Sequence, residues 1–209
     1  MPTIDELTVA DTPEAWRQCG FEVDGGTCVV GAVRIRLAGL DAGRGLTGWS
    51  LREVGAGDLD GLPTAVSDRP PPPPATHPNG ITAVDHVVVF TPALDRTIAV
   101  LEGAGLDLRR IREEPTPAGA PRQGFFRLGE VILEVVQQPT EMIKDAGGPA
   151  FFWGVAFLAP ELDATVASLG SDRVSEAREA VQPGRRIATL RRSAGLSLAV
   201  ALMSPRADR

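Results

Sequence analysis

Lysine is almost absent from this 209-residue chain. Lys144 is the only one, so arginine carries nearly all the positive charge, and the net charge is −6. An acidic chain with scattered arginines is a poor match for a phosphate backbone, and no nucleic-acid partner is expected. The one basic cluster, Arg185, Arg186, Arg191 and Arg192, reads as surface or salt-bridge use, with an anionic ligand as the alternative. Cysteine is scarce too. Cys19 and Cys28 cannot build a disulfide framework, which fits a reducing, cytoplasmic setting. No stretch approaches the roughly 20 apolar residues of a membrane span. Met1-Pro2-Thr3-Ile4-Asp5 shows no basic segment followed by an apolar one, so neither a signal peptide nor a membrane partner is expected. There is no glycine-rich loop followed by Lys-Ser/Thr and no serine-hydrolase elbow. Gly103 and Gly105 end a helical pattern rather than open one, so they make no dinucleotide fingerprint.

What is present is a repeated pattern. The middle copy predicts a strand over Val84–Phe90, a turn at Thr91-Pro92, a helix over Ala93–Gly103, and strands near Leu106–Ile111, Gln123–Leu128 and Val131–Val136. The last copy predicts a strand at Phe152–Leu158, a helix ending at Leu169, and strands at Arg186–Arg192 and Leu196–Met203. In both helices proline stands near the start, where its missing N–H costs little: Pro92 and Pro160. The first copy is compressed, with a strand at Ile4–Ala10, a short helix from Glu14 to Gln18, and a hairpin of Cys28–Val30 and Val33–Leu37. Leu46–Val54 then reads as the opening strand of a fourth, truncated copy. Units of this kind pack together because none buries its apolar face alone.

Between the first part and the rest lies Asp68–Gly80, with five consecutive prolines from Pro70 to Pro74. Such a run favours an extended polyproline conformation and reads as a stiff linker. The expected division is therefore a degenerate N-terminal module plus truncated strand (1–67), a linker (68–80), and a main domain (81–205) of two modules, 81–140 and 150–203.

The stretches Ala83-Val84-Asp85-His86-Val87-Val88-Val89, Gly129-Glu130-Val131-Ile132-Leu133-Glu134-Val135-Val136 and Trp153-Gly154-Val155-Ala156-Phe157 resemble the vicinal oxygen chelate superfamily, the group of glyoxalases, bleomycin-resistance proteins, extradiol dioxygenases and methylmalonyl-coenzyme A epimerases. The resemblance covers 83–203 well and 3–62 in part. It implies an α+β fold in which paired βαβββ modules curl into a half-open sheet around a cavity, here with an extra degenerate N-terminal module. It also implies metal ligands on the first and last strands of each module. His86 matches the first-strand histidine and Glu134 the last-strand carboxylate, while Gly154 and Ala199 stand where the second pair is expected. In the N-terminal copy Glu6 takes the place of His86, and Arg36 that of Glu134.

Three readings of His86 and Glu134 stay open: a hydrogen-bonded polar pair inside the barrel, a metal-free acid–base pair, and the start of a divalent metal site. The missing second pair favours the readings without metal, and the cofactor is otherwise unknown. Phe125, Arg127, Phe151 and Trp153 are the candidate ligand-binding residues, an aromatic wall with one cation. Alternation puts Phe125 and Arg127 on one face and Phe126 and Leu128 on the other, without saying which is inner. Arg127 could pair with Glu134. His77, in the linker, reads as a solvated loop residue. Trp49 reads as a docking residue between the two parts, and Trp16 as helix-to-sheet packing. Whether the chain is an enzyme is left undecided. A small-molecule binding protein is the first reading. A metal-dependent lyase, isomerase or dioxygenase acting on a small oxygenated substrate is the second, with His86 and Glu134 catalytic. Assembly or partner binding through the N-terminal module is the third. A homodimer fits each of them.

Overall fold

A computed structural model describes residues 1–55, 57–117 and 119–206. Its strands fall into two sheets. The first contains β1 (Thr3–Val9), β2 (Thr27–Val30), β3 (Val33–Leu37), β4 (Leu46–Arg52) and β5 (Thr64–Val66), in the order β2-β3-β1-β4-β5. The second has eight strands: β6 (Ala83–Thr91), β7 (Asp107–Arg112), β8 (Gln123–Leu128), β9 (Val131–Gln137), β10 (Phe151–Leu158), β11 (Arg178–Glu179), β12 (Arg186–Thr189) and β13 (Ala199–Met203). Their order is β11-β12-β13-β10-β6-β9-β8-β7. Helices α1 (Pro13–Gln18), α2 (Leu94–Gly103) and α3 (Leu162–Leu169) each follow the first strand of a module. Thr12 caps α1, its Oγ1 accepting from the Ala15 amide, and Leu94, Ile98 and Leu101 are the buried stripe of α2.

The two sheets share one pairing grammar. In each, the first strands of two modules run antiparallel at the centre: β1 with β4, and β6 with β10. Each central strand is flanked by a parallel last strand: β3 beside β1, β5 beside β4, β9 beside β6 and β13 beside β10. The N-terminal sheet is thus two shortened modules. Among the described residues the fourth copy has no helix between β4 and β5, and buried Leu59 and Leu62 supply the apolar surface there.

The register shows a device common to all four copies. Each first strand carries one residue that the ladder skips: Asp5 in β1, Thr47 in β4, Asp85 in β6 and Trp153 in β10. A bulge of this kind re-aims side chains and bends the strand. The residue after each bulge is Glu6, Gly48, His86 or Gly154; His86 and Gly154 are the places where the resemblance implies a first-strand metal ligand, with Glu6 their N-terminal counterpart.

One apolar core serves both sheets. Val87, Val89, Leu133, Val135, Phe126, Val155, Phe157 and Leu202 point into it from the second sheet. Trp16 of α1 lies edge-on to Phe157, 6.1 Å between ring centroids, so the N-terminal helix packs on the second sheet. Trp49 of β4 meets Phe152 of β10 at 5.2 Å. Asp60 accepts from Arg96 and Thr97 of α2, which adds a polar joint.

Two strands of the second sheet are shorter than the sequence pattern suggests. The strand expected over Arg186–Arg192 stops at Thr189, and that expected over Leu196–Met203 begins at Ala199. The intervening loop is held elsewhere: the Ser197 amide donates to Asp11 at 2.6 Å, and Ser197 Oγ accepts from the Gly45 amide at 2.8 Å. Those bonds pull the segment toward the N-terminal half and out of the ladder. His77 also departs from expectation. It is buried, its Nδ1 accepting from the Glu22 amide at 3.1 Å and its Nε2 donating to the Val29 carbonyl at 2.9 Å. Burial pushes its pKa down, which suits this neutral tautomer.

Candidate functional site

Strand alternation buries one face of the second sheet and leaves the other open. On β6 the open face carries His86, Val88 and Phe90. Register places Glu134 of β9 beside Val88, and Phe125 of β8 beside Glu134. Phe125 and Arg127 therefore belong to the open face, while Phe126 and Leu128 lie in the core.

At one end of this face the groups are polar. The bulge brings Asp85 to the same side as His86, and Asp85 Oδ2 lies 2.8 Å from His86 Nδ1. A carboxylate only accepts, so Nδ1 carries the hydrogen and Nε2 turns toward Glu134, whose Oε2 is 3.7 Å away. That separation is within ion-pair reach but too long for a hydrogen bond. Arg185, from the connection between β11 and β12, grips Asp85 from outside with Nη1 at 3.2 Å from Oδ2 and Nη2 on Oδ1. Gln123 donates to Glu134 Oε1.

The two carboxylates differ in character. Burial pushes Asp85 up, but the hydrogen bonds from His86 and Arg185 more than offset it, and its pKa ends below the ordinary value. For Glu134 burial dominates over the attraction of His86 and Arg112, and its pKa ends above the ordinary value. The face thus joins an ionised Asp85 to a Glu134 biased toward its neutral form, with His86 between.

At the other end the groups are aromatic. Trp153 stacks on Phe90 with 4.7 Å between ring centroids, and Phe151 stands edge-on to Phe90 at 5.9 Å. Phe151 is 41% exposed and Trp153 52%, against 0% for Trp16 and 3% for Trp49. Phe125 carries the Arg110 guanidinium over its ring at 4.9 Å. From His86 to Phe90 is four strand residues, about 13 Å. Two open clefts adjoin the ends of this face. One, of about 390 Å3, is lined by Asp85, Gln182, Arg185 and Arg206, and one of about 360 Å3 by Pro92, Gln138, Lys144 and Phe151.

The structure thus brings together His86 and Glu134, and separately Phe151 and Trp153, on one face. Arg127 does not meet Glu134. Its Nε donates to the Gly129 carbonyl at 2.6 Å and its guanidinium turns to Glu130. Sequence reasoning did not single out Asp85, Gln123 or Phe90, and it read Arg185 only as part of a basic cluster for surface or salt-bridge use, without Asp85 as its partner. Asp85 carried a signal, a charge beside histidine in an apolar strand, whereas the basic cluster around Arg185 gave no pointer to Asp85, 100 residues away.

The donor set does not fit a resident metal. Among the described residues no group of three or more His, Cys, Asp or Glu side chains is placed to hold an ion. The second half of the set is closed by sterics. A Cβ at Gly154 would lie 2.5 Å from the Ala199 carbonyl oxygen, so no histidine fits there without the backbone moving. Register also corrects one position. Gly154 pairs with Ala199 as His86 pairs with Ile132, so the counterpart of Glu134 is Ala201, two residues beyond Ala199. The slip arose because the shortened β13 gave the sequence pattern no fixed start. Neither alanine offers an oxygen ligand.

The pairing order, the four first-strand bulges and the open curled face decide the architecture. This is the vicinal oxygen chelate fold. Solved structures agree. A xylose isomerase-like TIM barrel/4-hydroxyphenylpyruvate dioxygenase fusion protein aligns over 99% of this chain with a TM-score of 0.62 and 12% identity. The chain spans 49% of that protein's length. Methylmalonyl-CoA epimerase from Mycobacterium tuberculosis aligns over 60% of this chain and 89% of its own, with a TM-score of 0.50 and 20% identity. In sequence alone, no family profile and no curated protein matches. This vicinal oxygen chelate fold therefore presents an aromatic cluster and a His–Glu pair on its open face without the complete metal site.

Proposed function

We propose that the chain binds a small molecule on the open face of its second sheet, without a resident metal. The observation that carries this reading is the pairing of an aromatic cluster, half-buried Phe90 with exposed Phe151 and Trp153, with the His86–Glu134 pair on one face. Exposed aromatic surface rimmed by polar groups is the usual chemistry of a ligand wall. The ligand class that fits has a flat apolar body for the Phe90–Trp153 stack and an oxygen-bearing head about 13 Å away for His86 and Glu134. Titration with 1-anilinonaphthalene-8-sulfonate tests it. Dye emission should rise with the wild-type chain in chelator-treated buffer and fall at least several-fold with Trp153→Ala. Equal emission from both proteins would contradict it.

A second reading is a metal-free isomerase or lyase. It is favoured by Glu134, whose raised pKa suits a proton donor, and by His86, whose Nε2 is left facing it. Here Asp85 fixes the histidine tautomer, His86 accepts a proton at Nε2, and Glu134 donates one from its carboxyl group. Dioxygenase chemistry would call for a metal, and the donor set does not fit one. The same proposal includes the 1–67, 68–80 and 81–205 division, a cytoplasmic location and a homodimer. The acidic, cysteine-poor composition supports the location, and among the described residues no helix is long and apolar enough to cross a membrane. The packing of Trp16 and Trp49 on the second sheet works against a free N-terminal assembly surface.

A further inference from the structure

The N-terminal sheet repeats the open face of the second sheet residue for residue. Asp5 is skipped by the ladder as Asp85 is, Glu6 follows it as His86 does, and Arg36 pairs with Thr8 as Glu134 pairs with Val88. Yet this copy of the face is covered. The segment Ser67–Pro70 crosses it, tied at every residue but one. The Ser67 amide donates to the Leu51 carbonyl at 2.8 Å, and Ser67 Oγ donates to Asp5 at 2.7 Å. Arg69 donates to Asp5 through Nε at 2.8 Å and Nη2 at 2.6 Å, and its Nη2 also reaches Glu6 at 2.9 Å. Two arginines of the sheet hold the strap's own carbonyls: Arg52 on Arg69, and Arg34 on Pro70 at 3.0 Å. Both of those arginines also bond Asp5, whose side chain is wholly buried.

We propose that this face is a second copy of the binding site whose ligand is part of the chain itself, the Arg69 guanidinium delivered by the Ser67–Pro70 strap. A planar fork of donors meets two carboxylates on adjacent bulge positions, which is the geometry arginine satisfies and lysine does not. The site so defined takes a guanidinium cation. The inference rests on the proposed binding role of the second sheet's open face, but its test reads the N-terminal face alone. It also explains an asymmetry: of two equivalent faces, the one without a strap is the one with exposed aromatics.

Chemical rescue tests it in the full chain. Arg69→Ala should lower Tm by about 4 °C and speed proteolysis within 67–80. Millimolar guanidinium chloride should restore at least half of both losses, while equal sodium chloride or methylammonium chloride should not. The wild type, with its site filled, should show no gain from the same guanidinium. Arg69→Lys should lose stability and respond less to guanidinium than Arg69→Ala. Should Arg69→Ala not fold, Ser67→Ala removes one strap bond to Asp5 and should raise cleavage within 67–80. An unchanged Tm in Arg69→Ala, equal rescue by sodium chloride, or unchanged cleavage in Ser67→Ala would each overturn the proposal.

Discussion

Asp85 and Glu134 sit on one face a few ångströms from the same imidazole, and burial pushes both pKa values up, but only Asp85 is hydrogen-bonded by an arginine, which reverses the outcome there. Their pH behaviour should therefore diverge. Asp85 has a folded pKa below the ordinary 3.8, so the folded state binds its proton less readily than the unfolded chain. Its contribution is present above the unfolded pKa and is lost as pH falls through the folded value. Glu134 is the reverse. Its folded pKa lies above the ordinary 4.5, so stability is lost as pH rises from there through the folded value. Glu134→Gln removes that loss while keeping an acceptor for Gln123. The Tm gain of the variant over wild type should grow as pH rises above 4.5, and thermal melts across pH check it. A gain that shrinks with rising pH would contradict the assignment. Asp85→Asn should cost about 2 kcal/mol, because Arg185 is then left half-paired beside His86. Denaturant melts measure this, and a variant as stable as wild type would show the Arg185 grip to be idle. Much of this polar end was legible from the chain alone, since His86 and Glu134 stand out in apolar strands. The Asp85–His86 bond was not, because neighbours on a regular strand face opposite ways and only the bulge brings them together.

At the scale of the element, the modules were readable from apolar periodicity, proline placement and glycine turns. The first strands, the helices and the β8–β9 hairpin of the second sheet lie within a residue or two of where the pattern put them. The four bulges were not readable, because a bulge is a property of two paired strands and neither strand alone announces it. The shortened β12 and β13 escaped for a related reason: their ends are set by bonds from Ser197 to Asp11 and Gly45, far away in the chain. Gly154 shows what the position after a bulge demands. Its missing Cβ lets β10 approach β13 closely at the Ala199 carbonyl. Gly154→Ala should therefore cost about 2 kcal/mol and perturb the stacking of the adjacent Trp153. A thermal melt with Trp emission checks both, and an unperturbed variant would mean that the metal position is open after all. Had a histidine been tolerated there, the absence of a ligand at this position would be a matter of side chain alone. The backbone argues that the site is closed at a deeper level.

Across the whole molecule, one core binds the two sheets, so the halves should not melt independently. Trp16→Ala removes a fully buried indole that contacts both Phe21 and Phe157 and should cost about 3–5 kcal/mol. The loss should be shared by both halves in one transition, and calorimetry showing two would contradict it. This common core was only half visible beforehand: Trp49 could be read as a docking residue, but a helix packed on the other sheet could not be read from either repeat. The division of labour follows from the same architecture. One open face is covered by the Ser67–Pro70 strap, and the other carries exposed aromatics and a His–Glu pair. Native mass spectrometry of the full chain, as purified and after dialysis against a chelator, tests that most directly. The account predicts a bound organic mass that survives chelation, is lost with Trp153→Ala, and is accompanied by no stoichiometric metal. A divalent ion bound one per chain, removed by chelator and by His86→Ala together with the organic mass, would contradict it.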